Sequence, residues 1–586
     1  MSSELTGGNL NLHWSSRLLR GLWQHGVRRT ILSPGSRSTP LVLAAALHPG
    51  LDRTTVLDER SAAFQALGEA NATGLPTLLV CTSGSALANY LPAVIEAEQA
   101  GIPVILLTAD RPPHLRGTGS SQTIDQLHFF GSRTTFFHEL GEPRGDQASL
   151  KRLDLLAGQA LNRALNPGGV VHLNLPFRKP LEPDRRQMDR ERETNQAQIQ
   201  QDTSAGQPSP VIWTRQPVDA IPAELYESIR SAHHPLLVAG TDAPFRHLGG
   251  WVAHLQELTG LPVLAEPGAP LPDHVRTVER YAPLLREVMN SGPAPDLILR
   301  TGHTLYSRAL LDFESWLENR TDIPVWHLHT RDTWQQGEAR IDRRLIVPRP
   351  LRMTEEQAAL LNDPEAPEDL HEGRKRWTRW WDDTNREAES ALSNILARVP
   401  DLTDPAAVRA VCKALTPEDL LMVSNSMTIR DLARVRPASF PVGSIRTHRG
   451  AAGIDGILSS AIGLCRSSGA RVTLLVGDLA ALHDSGALLS LAGTRLPLRI
   501  VVLENGGGTI FRILPIASLD QEIFHDHFET PQPTRISALA RAHGISVHSA
   551  ETLDAFTSIL SSPFDGPELI ECITDPDSSM QLRTHI

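Results

Sequence analysis

Two short apolar runs near the C-terminus place the strongest constraint on how this chain can fold. They occupy residues 471–476 (RVTLLV) and 498–503 (LRIVVL), and each has the length of a buried strand. Asp478 and Asn505 follow the two runs, with a helix-like segment at residues 483–492 between them. A right-handed crossover would make the strands parallel neighbours, whose carboxyl ends meet at one edge of a sheet. The sequence therefore predicts that Asp478 and Asn505 lie close together.

This edge offers hard oxygen ligands. The Asp478 carboxylate, the Asn505 amide oxygen and a backbone carbonyl in the run 506–508, assigned to Gly507, suit Mg²⁺, with water and phosphate as further ligands. Glycines also let backbone N–H groups approach an anion closely. The spacing is similar to the metal–diphosphate motif of thiamine-diphosphate (ThDP) enzymes. Two ordinary strand-to-helix turns with a capping aspartate are the alternative interpretation.

Composition limits the class of protein. With 586 residues, 40% apolar and 21% charged, the chain is expected to form two to four globular domains. No apolar run approaches the ~18 residues of a membrane span, and the N-terminal stretch lacks signal-peptide features. The net charge of −11 argues against nucleic-acid binding, and no GKS or GKT loop is present. The cysteines lack metal-ligand spacing and indicate reduced thiols in a cytoplasmic protein; they are Cys81, Cys412, Cys465 and Cys572.

Alternating helix and strand patterns predict an α/β fold with three doubly wound parallel-sheet domains. We assign these domains to residues 1–182, 211–383 and 384–586. Residues 183–210 are polar and poor in large apolar side chains, so they are predicted to form a linker. The segment 374–383 (RKRWTRWWDD) is predicted to be an amphipathic helix whose tryptophans pack inside the protein.

Asp58 and Glu59 stand where a predicted strand passes into a helix. Asp58 is a good N-cap, and Glu59 taken alone is most simply a charge that complements the helix dipole. In ThDP enzymes, however, a glutamate at this place hydrogen-bonds a pyrimidine nitrogen of the cofactor and promotes formation of the reactive ylide. Such a carboxyl group needs a raised pKa, which burial supplies.

Five motifs together resemble the MenD family of ThDP-dependent enzymes. They are residues 33–41 (SPGSRSTPL), 57–62 (LDERSA), 81–86 (CTSGSA), 108–113 (TADRPP) and 449–456 (RGAAGIDG). The resemblance covers all three domains and implies a pyrimidine-binding, a central and a diphosphate-binding domain. It also implies ThDP with Mg²⁺ or Mn²⁺ as cofactors, and a homodimer or homotetramer with active sites between subunits.

The resemblance implies decarboxylation of 2-oxoglutarate and addition of the succinyl carbanion equivalent to isochorismate. The products would be 2-succinyl-5-enolpyruvyl-6-hydroxy-3-cyclohexene-1-carboxylate and CO₂, in menaquinone or phylloquinone biosynthesis. Another ThDP-dependent 2-oxo acid decarboxylase or carboligase is the alternative, and it would retain Glu59, Asp478 and Asn505 without the arginine set. A nucleotide-binding protein without catalysis has little support, because no GxGxxG opens a helix after a strand.

Both implied substrates are dicarboxylates, which planar guanidinium groups bind in a bidentate manner. The resemblance assigns catalytic roles to Ser36, Arg37, Glu59, Gln122, Arg430 and Arg449. The implied substrate-binding set is Ser36, Arg37, Arg111, Gln122, Arg308, Ser426, Arg430, Arg449, Phe511 and Leu514. The implied cofactor-binding set is Glu59, Thr82, Gly84, Ser426, Ile454, Gly477, Asp478, Leu479, Asn505, Gly507, Thr509, Ile510 and Phe511.

The resemblance gives specific roles to Ile454 and Arg308. Ile454 is implied to be the apolar wedge that bends the cofactor. Arg308 lies in residues 305–310 (LYSRAL), where the family carries a lysine-containing basic segment, and it is the expected substitute for that lysine.

Overall fold

The computed structural model contains two compact units. The first comprises Met1–Arg215 and Gly450–Gly469, and the second comprises Gln216–Arg449 and Ala470–Ile586. The described residues are 5–204, 221–242, 248–303, 305–331, 341–347, 351, 353–361, 367–399, 401–518 and 520–586. Residues 450–469, expected in the C-terminal domain, therefore fold with the N-terminal segment.

Three parallel sheets form the framework. The first unit contains β1 (Arg29–Leu32), β2 (Asp52–Thr55), β3 (Thr77–Cys81), β4 (Val104–Asp110), β5 (Thr134–Glu139) and β6 (Val170–Pro176), in the order β2-β1-β3-β4-β6-β5. The second unit contains β7 (Pro235–Ala239), β8 (Val263–Ala265), β9 (Leu297–Thr301), β10 (Val325–His329) and β11 (Arg343–Ile346), in the order β11-β10-β9-β7-β8. Its other sheet contains β12 (Leu420–Val423), β13 (Ile445–Thr447), β14 (Val472–Gly477), β15 (Leu498–Glu504), β16 (Ser546–Ala550) and β17 (Glu568–Ile573), in the order β13-β12-β14-β15-β17-β16. The predicted α/β fold with three parallel sheets is confirmed.

Helices connect the strands and cover the sheets, so that every residue of β4, for example, is buried. In the N-terminal part they are α1 (Gly7–Gln24), α2 (Thr39–Ala46), α3 (Glu59–Thr73), α4 (Leu91–Ala100), α5 (Gln147–Arg163) and α6 (Arg185–Ser204). The central helices are α7 (Ala223–Ser231), α8 (Gly249–Thr259), α9 (Tyr281–Asn290), α10 (Arg308–Leu317), α11 (Glu355–Leu361) and α12 (Glu368–Ala397). The C-terminal helices are α13 (Asp404–Ala414), α14 (Met427–Val435), α15 (Ile457–Ser468), α16 (Asp478–His483), α17 (Gln521–Phe524), α18 (Ile536–Ala542), α19 (Leu553–Leu560) and α20 (Pro576–His585). Within the described ranges, no helix has the length and apolar character needed to cross a membrane.

The predicted linker at residues 183–210 is wrong over its described part, because α6 occupies most of it. Buried polar contacts hold α6 against α1: the Arg20 guanidinium lies 2.7 Å from the Glu191 carboxylate and donates to the Asn195 amide oxygen at 3.0 Å. A helix held in this way has little apolar periodicity to detect in the sequence. Residues 205–210 lie outside the described residues.

Two further expectations need correction, and one is confirmed. The predicted helix at 483–492 is instead the end of α16 followed by a 3₁₀ helix, Ser485–Ser490. The predicted domain boundary between residues 383 and 384 falls inside α12, which is continuous. The tryptophans of this helix do pack inside the protein: Trp377 and Trp381 are buried, and the Trp377 indole N–H donates to the Pro235 carbonyl at 2.7 Å.

In the first unit, α3 and α15 approach each other to backbone contact. A Cβ atom on Gly68 of α3 would lie 2.0 Å from the Ser460 carbonyl oxygen, and one on Gly463 of α15 would lie 2.0 Å from the Gln65 carbonyl oxygen. The Ser460 hydroxyl also donates to the Phe64 carbonyl at 2.8 Å. Glycine at both positions is therefore a steric requirement of the crossing between the two helices.

We predict that Gly68→Ala destabilises the protein although alanine is the better helix former. Overpacking of this kind costs about 1–3 kcal/mol because the facing carbonyl must move. Gly250→Ala in α8 is the matched control, since nothing lies within 4 Å of a Cβ built there, and it should be neutral or slightly stabilising. Thermal unfolding measures both variants. Equal melting temperatures for Gly68→Ala and the wild type would contradict this account of the crossing.

Candidate active site

Asp478 and Asn505 follow neighbouring strands of the third sheet. β14 and β15 pair from Val472 opposite Leu498 to Gly477 opposite Leu503, so the chain leaves both strands at the same point of the carboxyl edge. Asp478 is 6% exposed and Asn505 is 8% exposed. The register thus brings both side chains to one edge, and both are shielded from water.

The Asn505 amide has one satisfied and one unsatisfied end. Its Nδ2 group donates to Asp404 Oδ2 at 2.9 Å and to the Thr509 hydroxyl at 3.4 Å. Its Oδ1 atom is buried and accepts no hydrogen bond from the described residues. Buried acceptors in proteins nearly always have a partner, so this oxygen is available to a ligand.

Asp478 lies in an environment that disfavours its charge. Burial, followed by the neighbouring Glu504 carboxylate, raises the pKa of Asp478 to about 7. Its Oδ1 accepts the Leu479 backbone N–H at 2.7 Å. A divalent cation would offset the repulsion, and Mg²⁺ is commonly held by one or two carboxylates together with phosphates. Across the described ranges, no three His, Cys, Asp or Glu side chains cluster as a metal site. Asp478 and Asn505 are therefore not part of an all-protein cage for a metal ion.

The glycine loop after β15 is tightly packed. Gly507 has φ +118°, and a Cβ atom there would lie 2.1 Å from the Glu529 carbonyl oxygen. The Gly508 N–H donates to that same carbonyl at 2.7 Å, and the Gly507 carbonyl accepts the Thr509 N–H at 2.8 Å. The carbonyl predicted to bind metal therefore already has one partner and retains one lone pair.

The 3₁₀ helix that follows, Thr509–Ile513, carries the predicted apolar contacts. The Phe511 ring packs edge-on against Phe528, with centroids 5.6 Å apart. Ile510 and Phe511 are half-buried, whereas Leu514 is exposed. Apolar side chains thus follow directly after the glycine loop.

Two arginines lie close together beside β12. Arg430 of α14 donates to the Ser426 carbonyl at 2.6 Å, and Arg449 donates to the Asn425 side chain at 2.9 Å. Burial, followed by the charge of Arg449, lowers the pKa of Arg430. Ser426 has φ +68°, a strained conformation for a residue with a side chain, of a kind that clusters at functional sites. Two guanidinium groups that repel each other are suited to an anion.

In the first unit, Glu59 is the first residue of α3. Asp58 caps this helix as predicted, accepting the backbone N–H groups of Arg60 at 2.8 Å and Ser61 at 3.3 Å. Burial and, to a lesser extent, the Asp58 carboxylate raise the pKa of Glu59. The carboxyl group thus has the environment that proton sharing requires.

The loops after β1 and β3 contact each other. A Cβ atom on Gly35 would lie 2.3 Å from Thr82, and the Arg37 backbone N–H donates to the Thr82 hydroxyl at 3.2 Å. The Arg37 side chain is buried and donates to the Phe177 carbonyl at 2.7 Å, whereas Ser36 is exposed. Part of the Arg37 guanidinium is thus occupied by a structural contact.

The loop after β3 is fixed by a glutamine that the sequence did not single out. Gly84 has φ +91°, and its N–H donates to buried Gln126 at 3.1 Å. A Cβ atom on Gly84 would lie 3.3 Å from the backbone of Gln122, which is exposed and has φ +52°. Arg111 is half-buried and has a buried Nε atom with no partner among the described residues. These residues share the carboxyl end of the first sheet.

The motif 449–456 is held by a buried carboxylate. Glu96 of α4 accepts the backbone N–H groups of Gly450, Ala451 and Ala452 at 2.8, 2.6 and 3.2 Å. The loop then presents Ile454, which is 41% exposed. Glu96 escaped prediction, and the available signal was a charged residue among apolar ones in the segment LPAVIEAEQA.

Two family models and several curated proteins match this chain. Residues 13–129 match the family model for the N-terminal TPP binding domain of thiamine pyrophosphate enzymes, and residues 432–572 match that for the C-terminal TPP binding domain. Three similar curated proteins are named 2-succinyl-5-enolpyruvyl-6-hydroxy-3-cyclohexene-1-carboxylate synthase. The protein of Halorubrum lacusprofundi is 34% identical, covering 99% of this chain and 98% of the relative. That of Myxococcus xanthus is 35% identical (99% and 97%), and that of Chloroflexus aurantiacus is 36% identical (97% and 94%).

This chain belongs to that synthase family, the MenD family. Its cofactor is therefore ThDP (thiamine pyrophosphate), and the matched domains contain Glu59, Asp478 and Asn505. The residues present fit such a cofactor: a buried amide oxygen that has no partner in the described part of the chain, a buried carboxylate and a glycine loop lie at one sheet edge.

Arg308 is the predicted MenD site residue that the structure supports least. It begins α10, its side chain is 85% exposed, and it forms an ion pair with Asp312 at 2.8 Å. A surface pair one helical turn apart is the ordinary arrangement for such an arginine. Its role in substrate binding stays a prediction.

We predict that Asp478→Ala abolishes ThDP binding in the presence of Mg²⁺. Without the carboxylate the cation is lost, and with it the group that neutralises the diphosphate. Calorimetric titration of ThDP at fixed Mg²⁺ measures the effect. Asp554→Ala, which removes an exposed carboxylate from the first turn of α19, should bind normally. Undiminished binding by Asp478→Ala would place the cation elsewhere.

Proposed function

We propose that this chain catalyses the ThDP-dependent decarboxylation of 2-oxoglutarate and joins the remaining four-carbon unit to isochorismate. The product is the compound that appears in the names of the relatives, 2-succinyl-5-enolpyruvyl-6-hydroxy-3-cyclohexene-1-carboxylate, and CO₂ is released. Similarity at 34–36% identity over nearly the whole chain to synthases of that name carries the proposal. The product would serve menaquinone or phylloquinone biosynthesis.

The arginine pair supports substrates that carry a carboxylate. Arg430 and Arg449 are close enough for the charge of one to lower the pKa of the other. A carboxylate bound between them would offset this repulsion and form charge-assisted hydrogen bonds. The rival hypothesis, another ThDP-dependent 2-oxo acid decarboxylase or carboligase, does not require this arginine pair.

The protein residues divide the remaining work. ThDP, when bound, supplies the carbon centre to which a 2-oxo acid adds and which accepts the electron pair released with CO₂. We assign Asp478, Asn505 and Gly507 to hold Mg²⁺ or Mn²⁺ against the diphosphate. Glu59 holds the proton shared with the pyrimidine ring, and burial raises its pKa toward the range useful for that exchange.

We further propose a homodimer or homotetramer in which one subunit contributes Glu59 and another contributes Asp478 and Asn505. The first unit carries exposed apolar side chains that association would bury. They include Leu57, Ile124, Leu127 and Ile454. A cytoplasmic location is also part of the proposal, and the four buried, unpaired cysteines support it.

Product analysis tests the proposed reaction. The protein with ThDP and Mg²⁺ should release CO₂ from 2-oxoglutarate and form the succinylated product only when isochorismate is added, as followed by mass spectrometry. Arg430→Ala should lower kcat/KM roughly 10–100-fold, the range expected for a lost hydrogen bond to a charged group. Arg386→Ala, on the surface of α12, is the control. Ligation of a different 2-oxo acid, with 2-oxoglutarate inert, would favour the rival hypothesis.

We predict that Glu59→Gln binds ThDP but fails to activate it. Glutamine has nearly the same shape, yet its amide cannot share a proton as a carboxyl group does. Loss of such a group typically costs ~10²–10⁴-fold in rate. Hydrogen–deuterium exchange at the thiazolium carbon reports the step before either substrate enters, and exchange at the wild-type rate would return Glu59 to the role of a helix-terminal charge.

The same variant tests the shared site. Inactive Glu59→Gln and inactive Asp478→Ala proteins, mixed after dissociation, should regain activity, because some reassembled sites contain both native residues. If the mixture stays inactive while a wild-type sample treated identically recovers, each chain would have to supply its own site.

A further inference from the structure

The direction of the Asn505 amide is fixed by a residue that no assignment above includes. A carboxylate can only accept hydrogen bonds, so the amide must present its NH₂ group to Asp404, 2.9 Å away. The other amide hydrogen faces the Thr509 hydroxyl at 3.4 Å. Oδ1 is then directed away from both, and it is the buried oxygen without a partner in the described part of the chain.

Asp404 is itself held firmly. It begins α13 and is 1% exposed. Its Oδ1 accepts the Thr574 hydroxyl at 2.6 Å, and its Oδ2 accepts Arg583 Nη2 at 2.7 Å. Its backbone N–H donates to the Ser579 hydroxyl at 3.0 Å. The carboxylate therefore cannot rotate away from Asn505 without breaking its contacts to Thr574, which follows β17, and to Arg583 of α20.

Arg583 joins Asp404 to a second buried carboxylate. It lies in α20, and its Nη2 and Nε atoms donate to Asp431 of α14 at 2.6 and 2.9 Å. The side chains of Arg583 and Asp431 are 3% and 0% exposed. Asp404 and Asp431 thus share one guanidinium partner, but only Asp404 also contacts Asn505.

We propose that Asp404 is a positioning residue for the divalent-cation site: it selects the amide orientation that directs Asn505 Oδ1 toward the cation. The inference rests on the proposed roles of Asp478 and Asn505 as metal ligands. An amide turned by half a rotation would present two N–H donors to the cation, which repel it. Loss of an outer partner of a metal ligand typically weakens metal affinity ~10–100-fold.

The test compares Asp404→Ala with Asp431→Ala. Both remove a carboxylate from Arg583, and both should lower the melting temperature, but only Asp404→Ala releases the Asn505 amide. The readouts are the Mg²⁺ concentration that half-saturates ThDP binding and the binding of Mn²⁺ measured by electron paramagnetic resonance. For Asp404→Ala we expect the half-saturating Mg²⁺ concentration and the Kd for Mn²⁺ to rise ~10–100-fold. For Asp431→Ala we expect both to change by less than about threefold.

A conservative variant separates position from charge. Asp404→Asn can keep an oxygen facing Asn505 and Arg583 while its NH₂ group faces the Thr574 hydroxyl, so it should restore metal affinity to near the wild-type value. If Asp404→Ala does not fold, Asp404→Ser takes its place, because its side chain is too short to reach Asn505.

Three results would overturn the inference: wild-type metal affinity in Asp404→Ala or Asp404→Ser, an equal loss in Asp431→Ala, or no rescue by Asp404→Asn. Asp478→Ala distinguishes this failure from failure of the proposed site. If Asp478→Ala loses metal-dependent binding and Asp404→Ala does not, the cation site stands and the positioning role falls. If Asp478→Ala binds normally, the cation site itself is misplaced.

Discussion

The strand pairs of all three sheets run parallel, and this constraint decides where chemistry can lie. Each parallel pair needs a crossover connection, and neighbouring strands all end at the same edge. In the third sheet, β12 lies between β13 and β14, so the connections diverge there and leave a crevice at the edge. Ser426, Asp478 and Asn505 follow β12, β14 and β15 at that edge. The first sheet has the same order of strands, and its loops carry Thr82 and Gly84.

Buried charge in the second unit falls into two classes. Asp404 and Asp431 surround Arg583, so unlike charges face one another and their burial is offset. Asp478 instead lies near Glu504, and Arg430 near Arg449. Like charges held together do not stabilise a fold, and they are typical of functional sites. A cation would offset the repulsion between Asp478 and Glu504, and an anion would offset that between Arg430 and Arg449. The metal ion of a ThDP cofactor would supply the cation, and a carboxylate substrate would supply the anion.

The local sequence pattern was sufficient to predict a structural feature where that feature depends on residues that are neighbours in the sequence. The two strands before Asp478 and Asn505 lie within one residue of their predicted bounds, and Asp58 caps α3 as expected. Prediction failed where the deciding partner is distant. The helix α6 depends on buried polar contacts to α1, and Glu96 meets its three N–H partners more than 350 positions later. Neither contact leaves a periodic trace, and the assigned roles of the arginines came from motif resemblance alone.

The glycine-mediated crossing of α3 and α15 has a consequence for how the chain is made. The N-terminal unit receives α15 only from residues 450–469, which a ribosome adds roughly 250 residues after Arg215. Because α3 is already complete at Thr73, its glycine face stays uncovered for on the order of twenty to eighty seconds at ~5–20 residues per second. During that interval the nascent chain exposes a docking surface for its own later helix. A gene divided between the two matched domains would place α3 and α15 on different polypeptides, because α15 lies within the C-terminal match.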